Sequence, residues 1–66
     1  MRFIRINNDL GIGLLENMDY SLEIVRWNNI LKAWCSDPDY PKFKELYNAE
    51  QVFFDLISSL DPKGEN

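Results

Sequence analysis

The sequence has no histidine and only one cysteine, Cys35, so it lacks most of the groups that bind metals or act as nucleophiles. An intrachain disulfide cannot form, and a zinc site would lack its usual ligands. Acid–base catalysis would depend on carboxylates, lysines or tyrosines alone, and no histidine could activate Cys35. We therefore expect a protein that is not an enzyme and that needs neither a metal nor another cofactor.

Long apolar runs are also missing. The longest spans only a few residues around 11–15, far short of the roughly 20 that a membrane-spanning helix needs. The chain does not begin with the basic start and apolar core of a signal peptide. The sequence predicts a soluble cytoplasmic protein, and the lone Cys35 suits a reducing compartment.

Positive charge is scarce: 7 Lys and Arg residues stand against 11 Asp and Glu, for a net charge of −4. This balance repels a phosphate backbone and favours a partner with a basic surface. Lys42-Phe43-Lys44 resembles the interleaving of some nucleic-acid-stacking surfaces, but the basic residues are scattered along the chain. We do not expect nucleic-acid binding.

With 66 residues, the chain can bury barely enough apolar surface to offset the entropy lost on folding. Its aromatic residues, four Phe, three Tyr and two Trp, each bring a large apolar area. Aromatic packing and self-association are the remaining sources of stability, so we expect a homodimer or an obligate partner.

The N-terminal residues predict a β-hairpin. Residues 2–6 are β-prone, and the following Asn-Asn-Asp suits a turn. Residues 10–15 could return as the second strand, or Gly11 and Gly13 could instead mark a bulge or a bend. A dinucleotide-binding motif would need a third glycine where Glu16 stands, so we interpret the glycines as structural.

Residues 20–35 carry apolar side chains at spacings of 4, 3, 4 and 3, which predicts a helix with one narrow apolar seam. The seam is either the core of a monomer or an interface between subunits. Its members are Tyr20, Ile24, Trp27, Leu31 and Trp34.

A second helix is predicted over 41–60, with Pro41 in its first turn. Glu50 falls within the apolar face of this helix. Either Glu50 reaches a cation or water, or the helix breaks near Asn48, which with Gln51 resembles a capping box. We favour the break. Residues 61–66 have no apolar side chain and predict a flexible tail.

The predicted fold class is therefore α+β and mostly helical. In this fold the hairpin of 2–6 and 10–15 packs on an antiparallel pair of helices, a helical hairpin formed by 20–35 and 41–60. Without a linker or internal repeat, residues 1–66 should form a single small domain.

The acidic turn between the predicted helices is the strongest candidate for a partner-binding surface. Asp37 and Asp39 could hold a cation, but Pro38 between them and Pro41 after them fit a solvated turn better than a calcium loop. We expect the partner-binding residues to be Trp34, Asp37, Asp39, Tyr40 and Glu50.

The sequence thus predicts a small acidic protein-binding module, a regulator or inhibitor of a larger protein with a basic surface. The alternative is a structural or assembly subunit whose task is self-association as a homodimer.

Overall fold

The computed structural model describes residues 1–60, which form a four-stranded antiparallel sheet followed by one helix. The strands are β1 (Arg2–Asn7), β2 (Ile12–Glu16), β3 (Leu22–Asn28) and β4 (Ala33–Ser36), and the helix is α1 (Leu46–Leu60). The strands lie in the sheet in chain order, so each consecutive pair is a hairpin.

The alternating directions of the side chains along β3 show which residues lie on each face of the sheet. Leu22 and Ile24 belong to the core cluster that α1 covers, whereas Val25 and Trp27 point to the other face because successive side chains of a strand alternate. We call that other side the open face.

The hydrophobic core lies between α1 and the two central strands. Ala49, Phe53 and Leu56 repeat at helical spacing along α1, which places them on one side of the helix. They pack against apolar residues of β2 and β3, and each member of the cluster is at most 8% exposed. The strand residues in this cluster are Ile12, Leu14, Leu22 and Ile24.

A bulge in β1 places Phe3 and Arg5, which are two positions apart and would share a face in a regular strand, on opposite faces of the sheet. The register with β2 shifts between Phe3 and Arg5, so Phe3 lies opposite Leu15 on the open face while Arg5 reaches the helix side. There the Arg5 Nε donates a hydrogen bond to Glu50 at 3.2 Å, and its guanidinium lies 5.3 Å from the ring centre of Phe54.

The predicted mostly helical fold is wrong: 25% of residues 1–60 are helical and 38% lie in strands, and this part of the chain has no helical hairpin. Residues 20–35, predicted as a helix, contain β3, the turn that follows it and three of the four residues of β4. Trp27 and Trp34 are seven residues apart, about two helical turns, but they are also directly opposite each other in the β3–β4 hairpin. The turn is held by the Asn28 side chain, which accepts hydrogen bonds at 2.9 Å from the backbone N–H of Ile30 and of Leu31.

The predicted helix over 41–60 begins too early. Phe43 instead extends the sheet by exchanging backbone hydrogen bonds of 2.7 and 2.8 Å with Leu22. The break favoured near Asn48 is also wrong, because α1 runs through that residue. The alternative holds instead, since Glu50 reaches the cation Arg5.

β1 and β2 do form an antiparallel hairpin, with bounds of 2–7 and 12–16 in place of 2–6 and 10–15. The predicted tail, 61–66, lies outside the described residues. Among residues 1–60, no helix has the length and apolar character that crossing a bilayer requires.

Candidate functional site

Three aromatic side chains meet on the open face of the sheet. The ring centres of Phe3 and Trp34 are 5.2 Å apart, and those of Trp27 and Trp34 are 5.7 Å apart, both in edge-to-face geometry. We call Phe3, Trp27 and Trp34 the aromatic cluster. It joins the first strand of the sheet to the last, across the two strands between them.

The aromatic cluster covers other apolar side chains yet stays accessible itself. Val25 lies on the open face but is only 2% exposed, whereas Phe3 is 36% and Trp27 42% exposed. Trp34 is half-buried. The cluster thus shields the middle of the open face and presents ring surface to solvent.

Gly13 makes the Phe3–Trp34 contact possible. A Cβ atom at this position would lie 2.9 Å from Phe3 Cε1 and 3.3 Å from Val25 Cγ2. Because real Cβ atoms do not approach other heavy atoms to 2.9 Å, any larger residue would displace the Phe3 ring. The missing side chain leaves the space in which Phe3 leans towards Trp34.

A concavity of about 250 Å³ adjoins the two indoles and is lined by Asn8, Gly11, Trp27 and Trp34. Gly11 forms one wall with φ of +66°, a left-handed conformation that favours glycine. Its carbonyl accepts a 2.8 Å hydrogen bond from the backbone N–H of Trp27, which holds the wall next to the tryptophan. None of the lining side chains titrates, so the concavity offers apolar and π contacts rather than acid–base chemistry.

The charge of the open face is negative. Glu23 is the one charged side chain that the strands place there, and it accepts a 2.7 Å hydrogen bond from the Ser36 hydroxyl. An aromatic surface beside a carboxylate suits a cationic ligand, because the faces of indole rings attract Lys and Arg.

The Asp37 side chain is buried and accepts hydrogen bonds within the protein, so it is not presented to solvent. Arg26 Nε donates to its Oδ2 at 2.6 Å, and the backbone N–H of Asp39 donates to its Oδ1 at 2.9 Å. Burial alone would raise the pKa of Asp37, but the hydrogen bonds and the charge of Arg26 outweigh it, and the pKa lies below its ordinary value. Asp37 therefore anchors the chain where it leaves β4.

The other predicted partner-binding residues do not form one surface with Trp34. Asp39 is exposed, whereas Tyr40 is half-buried and packs against the core. Glu50 lies on α1 and pairs with Arg5, on the opposite side of the sheet from Trp34.

The predicted seam is also dispersed. Ile24 lies in the core under α1, and Tyr20 and Leu31 are exposed in turns, at 78% and 66%. Only Trp27 and Trp34 meet. The sequence interpretation missed Phe3, Asn8 and the two glycines. It also overlooked a strand signal in β3, where the β-branched Ile24 and Val25 stand close to the aromatic Trp27.

A second concavity, of about 270 Å³, lies at the β2–β3 turn and is lined by Asp19, Tyr20, Ser21 and Lys44. The Ser21 hydroxyl donates to Asp19 at 2.6 Å and lowers the pKa of that carboxyl. Residues 1–60 contain no group of three or more His, Cys, Asp or Glu side chains placed to hold a metal ion.

Comparison of the chain with protein-family models, with curated proteins and with solved structures found no match.

Proposed function

We propose that this protein is a non-enzymatic protein-interaction module, a regulator or inhibitor, that binds a basic segment of a larger protein on the open face of its sheet. The observation that most directly supports this proposal is the Trp27–Trp34 pair, which is in edge-to-face contact and partly exposed beside a concavity of about 250 Å³. Aromatic residues, Trp above all, dominate the binding energy of many protein interfaces.

Charge supports a basic partner over an acidic one. The chain carries a net charge of −4, and Glu23 is the charged side chain that the strands contribute to the open face. Long-range attraction would bring a cationic segment towards this side, and the indoles would then hold an arginine or lysine by cation–π contact. The proposed site thus shifts from the acidic turn to the aromatic cluster, with only Trp34 common to both.

The proposal can be tested with a defined probe, a short peptide of alternating arginine and leucine. Titrated into ¹⁵N-labelled protein, it should shift the indole N–H resonances of Trp27 and Trp34. The matched peptide with glutamate in place of arginine should not. Trp27→Ala should weaken binding by about tenfold or more, the effect of losing a hot-spot residue worth at least ~1.4 kcal/mol.

Tyr47→Ala supplies the control, because Tyr47 is 71% exposed on α1, away from the open face. It should leave peptide binding unchanged. Equal shifts with both peptides, or shifts centred on α1, would reject the open face as the binding surface. The NMR spectrum of Trp27→Ala also reports whether the variant is folded.

Self-association as an assembly subunit is the second candidate function. It is favoured by a different feature, the unblocked outer edge of β4. We further propose that the protein works in the cytoplasm, which the free thiol of Cys35 supports. Imaging of a tagged copy in the native cell would test this location.

A further inference from the structure

β4 is an edge strand that lacks the charges, prolines and bulges that usually prevent pairing. It holds Ala33, Trp34, Cys35 and Ser36, with no charged residue and no proline, and its register with β3 has no shift. Exposed edges of this kind are templates for another strand.

The opposite edge of the sheet, β1, is protected. A bulge interrupts its register between Phe3 and Arg5, and the arginines at 2 and 5 place charge along the strand. Bulges and charges are standard devices that prevent edge pairing. The contrast makes β4 the edge that is left available.

The backbone of β4 has a defined set of outward-facing groups. Cys35 lies opposite Arg26, and the N–H of Asp37 donates to the carbonyl of Ile24 at 3.0 Å, so both residues turn their backbone groups towards β3. Because these groups alternate in an antiparallel strand, Trp34 and Ser36 turn theirs outward. Each copy thus offers two N–H and two C=O groups along this edge.

We infer that β4 pairs antiparallel with β4 of a second copy, with the two-fold axis at Cys35, to make one continuous eight-stranded sheet. In this register Trp34 of each copy faces Ser36 of the other. The outward N–H and C=O groups of both residues are then all used, in four hydrogen bonds.

The other symmetric registers use fewer of these groups. Centring the pair on Trp34 would oppose Ser36 to Lys32, which has left the extended conformation with φ of +56°. Centring it on Ser36 would oppose Trp34 to Pro38, which has no N–H to donate.

A local pairing of opposite charges also suits a second copy as the occupant of this edge. The Cys35-centred register brings Lys32 of one copy opposite Pro38 of the other, next to the exposed carboxylate of Asp39. The symmetry produces this contact twice. The inference stands apart from the proposed partner binding, although a shared sheet would place both open faces on the same side.

Ser36→Pro against Ser36→Ala is a matched test. Both variants lose the hydroxyl that bonds Glu23, but only proline removes the outward N–H, a position where edge strands tolerate proline. Sedimentation equilibrium should show a concentration-dependent dimer for the native chain and for Ser36→Ala. Ser36→Pro should stay folded by circular dichroism and dissociate about ten to a hundred times more readily, because two symmetry-related hydrogen bonds are lost.

Cys35 provides a second readout. Directly opposed residues in a non-hydrogen-bonded antiparallel pair have Cα atoms about 4.5 Å apart, within the range of a disulfide. Two Cys35 thiols would give up two protons and two electrons to added diamide, which is reduced to its hydrazine, and form one intermolecular bond. The control Cys35→Ala with Ser58→Cys moves the thiol to an exposed site on α1 and should crosslink far more slowly.

Rapid crosslinking through Cys35 that Ser36→Pro abolishes would support the inference. A monomer at every concentration, an undiminished dimer of folded Ser36→Pro, or equal crosslinking through residue 58 would overturn it. The proposed peptide binding is read separately from the indole resonances of Trp27 and Trp34, so either idea can fail without the other.

Discussion

Asp37→Asn should destabilise the protein and remove part of its sensitivity to acid. The Asp37 side chain is 3% exposed and accepts hydrogen bonds from Arg26 and from the backbone N–H of Asp39. Asparagine keeps the volume and the oxygen that faces Asp39. It presents an N–H group to the Arg26 donor, however, so the charge-assisted bond is lost.

The expected loss is about 1.5 kcal/mol. Hydrogen bonds to charged groups contribute roughly 1.5–3 kcal/mol, and the lower end applies because the Arg26 side chain is 44% exposed and can be hydrated once its partner is gone. A domain of 66 residues has a total stability of roughly 3–10 kcal/mol. The substitution should thus remove a substantial share of it.

The pH dependence gives a stricter test. The pKa of Asp37 is lowered in the folded state, so the carboxylate stabilises the fold fully above its unfolded pKa of about 3.9. This contribution disappears as the pH falls through the lower folded pKa. The difference in unfolding free energy between wild type and Asp37→Asn should be constant at pH 5–7 and shrink below about pH 4.

Urea titrations at a series of pH values, followed by tryptophan fluorescence, would measure this difference. Asp39→Asn is the matched control, because Asp39 is exposed and its carboxylate accepts no hydrogen bond from residues 1–60. Equal stability of Asp37→Asn and wild type at neutral pH would refute the reasoning. So would a difference that grows as the pH falls.

Three further predictions test the packing and the backbone conformation. Phe53→Ala should lower the unfolding free energy by about 3–5 kcal/mol and leave the chain largely unfolded by circular dichroism, because Phe53 is 4% exposed in the core. Phe54→Ala, at a position that is 45% exposed, should lower the unfolding free energy much less. Equal losses for the two variants would contradict the assigned core. Gly13→Ala should lower the unfolding free energy measured by urea titration by about 1 kcal/mol, since the cost of displacing the Phe3 ring outweighs the smaller gain from a stiffer unfolded chain. A more stable variant would contradict the close approach of Phe3 to Gly13. Tyr20→Asn should stabilise the protein by about 0.5–1 kcal/mol and raise its melting temperature, because Tyr20 has φ of +69° and asparagine tolerates this left-handed backbone region better than tyrosine. A lower melting temperature of the variant would contradict this prediction.

The first hairpin was readable from the sequence because its signals are local. Residues 2–6 favour a strand, and the turn that follows is rich in Asn and Asp. The bulge was not readable, since only the pairing with β2 shows that Phe3 and Arg5 serve opposite faces.

The second hairpin was misread because its spacing fits two geometries. Seven residues separate Trp27 from Trp34, which gives a shared face in a helix and also a directly opposed pair around the β3–β4 turn. The turn depends on the Asn28 side chain and on Lys32 at positive φ, and neither is as strong a signal as an Asn-Gly or Asp-Gly pair.

The acidic turn was predicted as a binding surface because Asp37 looked solvated. Its partner, Arg26, lies 11 positions earlier and comes close only because the strands fold back on each other. The aromatic cluster was missed for a related reason: Phe3 and Trp34 are 31 positions apart, and no local pattern links them. Contacts of that kind depend on topology, which the helical interpretation had wrong.

The contact between Phe3 and Trp34 has a consequence for how the sheet comes apart. The outermost strands of an antiparallel meander normally fray independently, since each is bound to one neighbour only. Here the contact between two aromatic rings links the two outer strands, so local unfolding of either β1 or β4 should also expose the other. In the monomer, amide exchange in β1 and in β4 should then proceed at similar rates, and Phe3→Ala should speed exchange in Ala33–Ser36, a segment that forms no backbone hydrogen bond with β1.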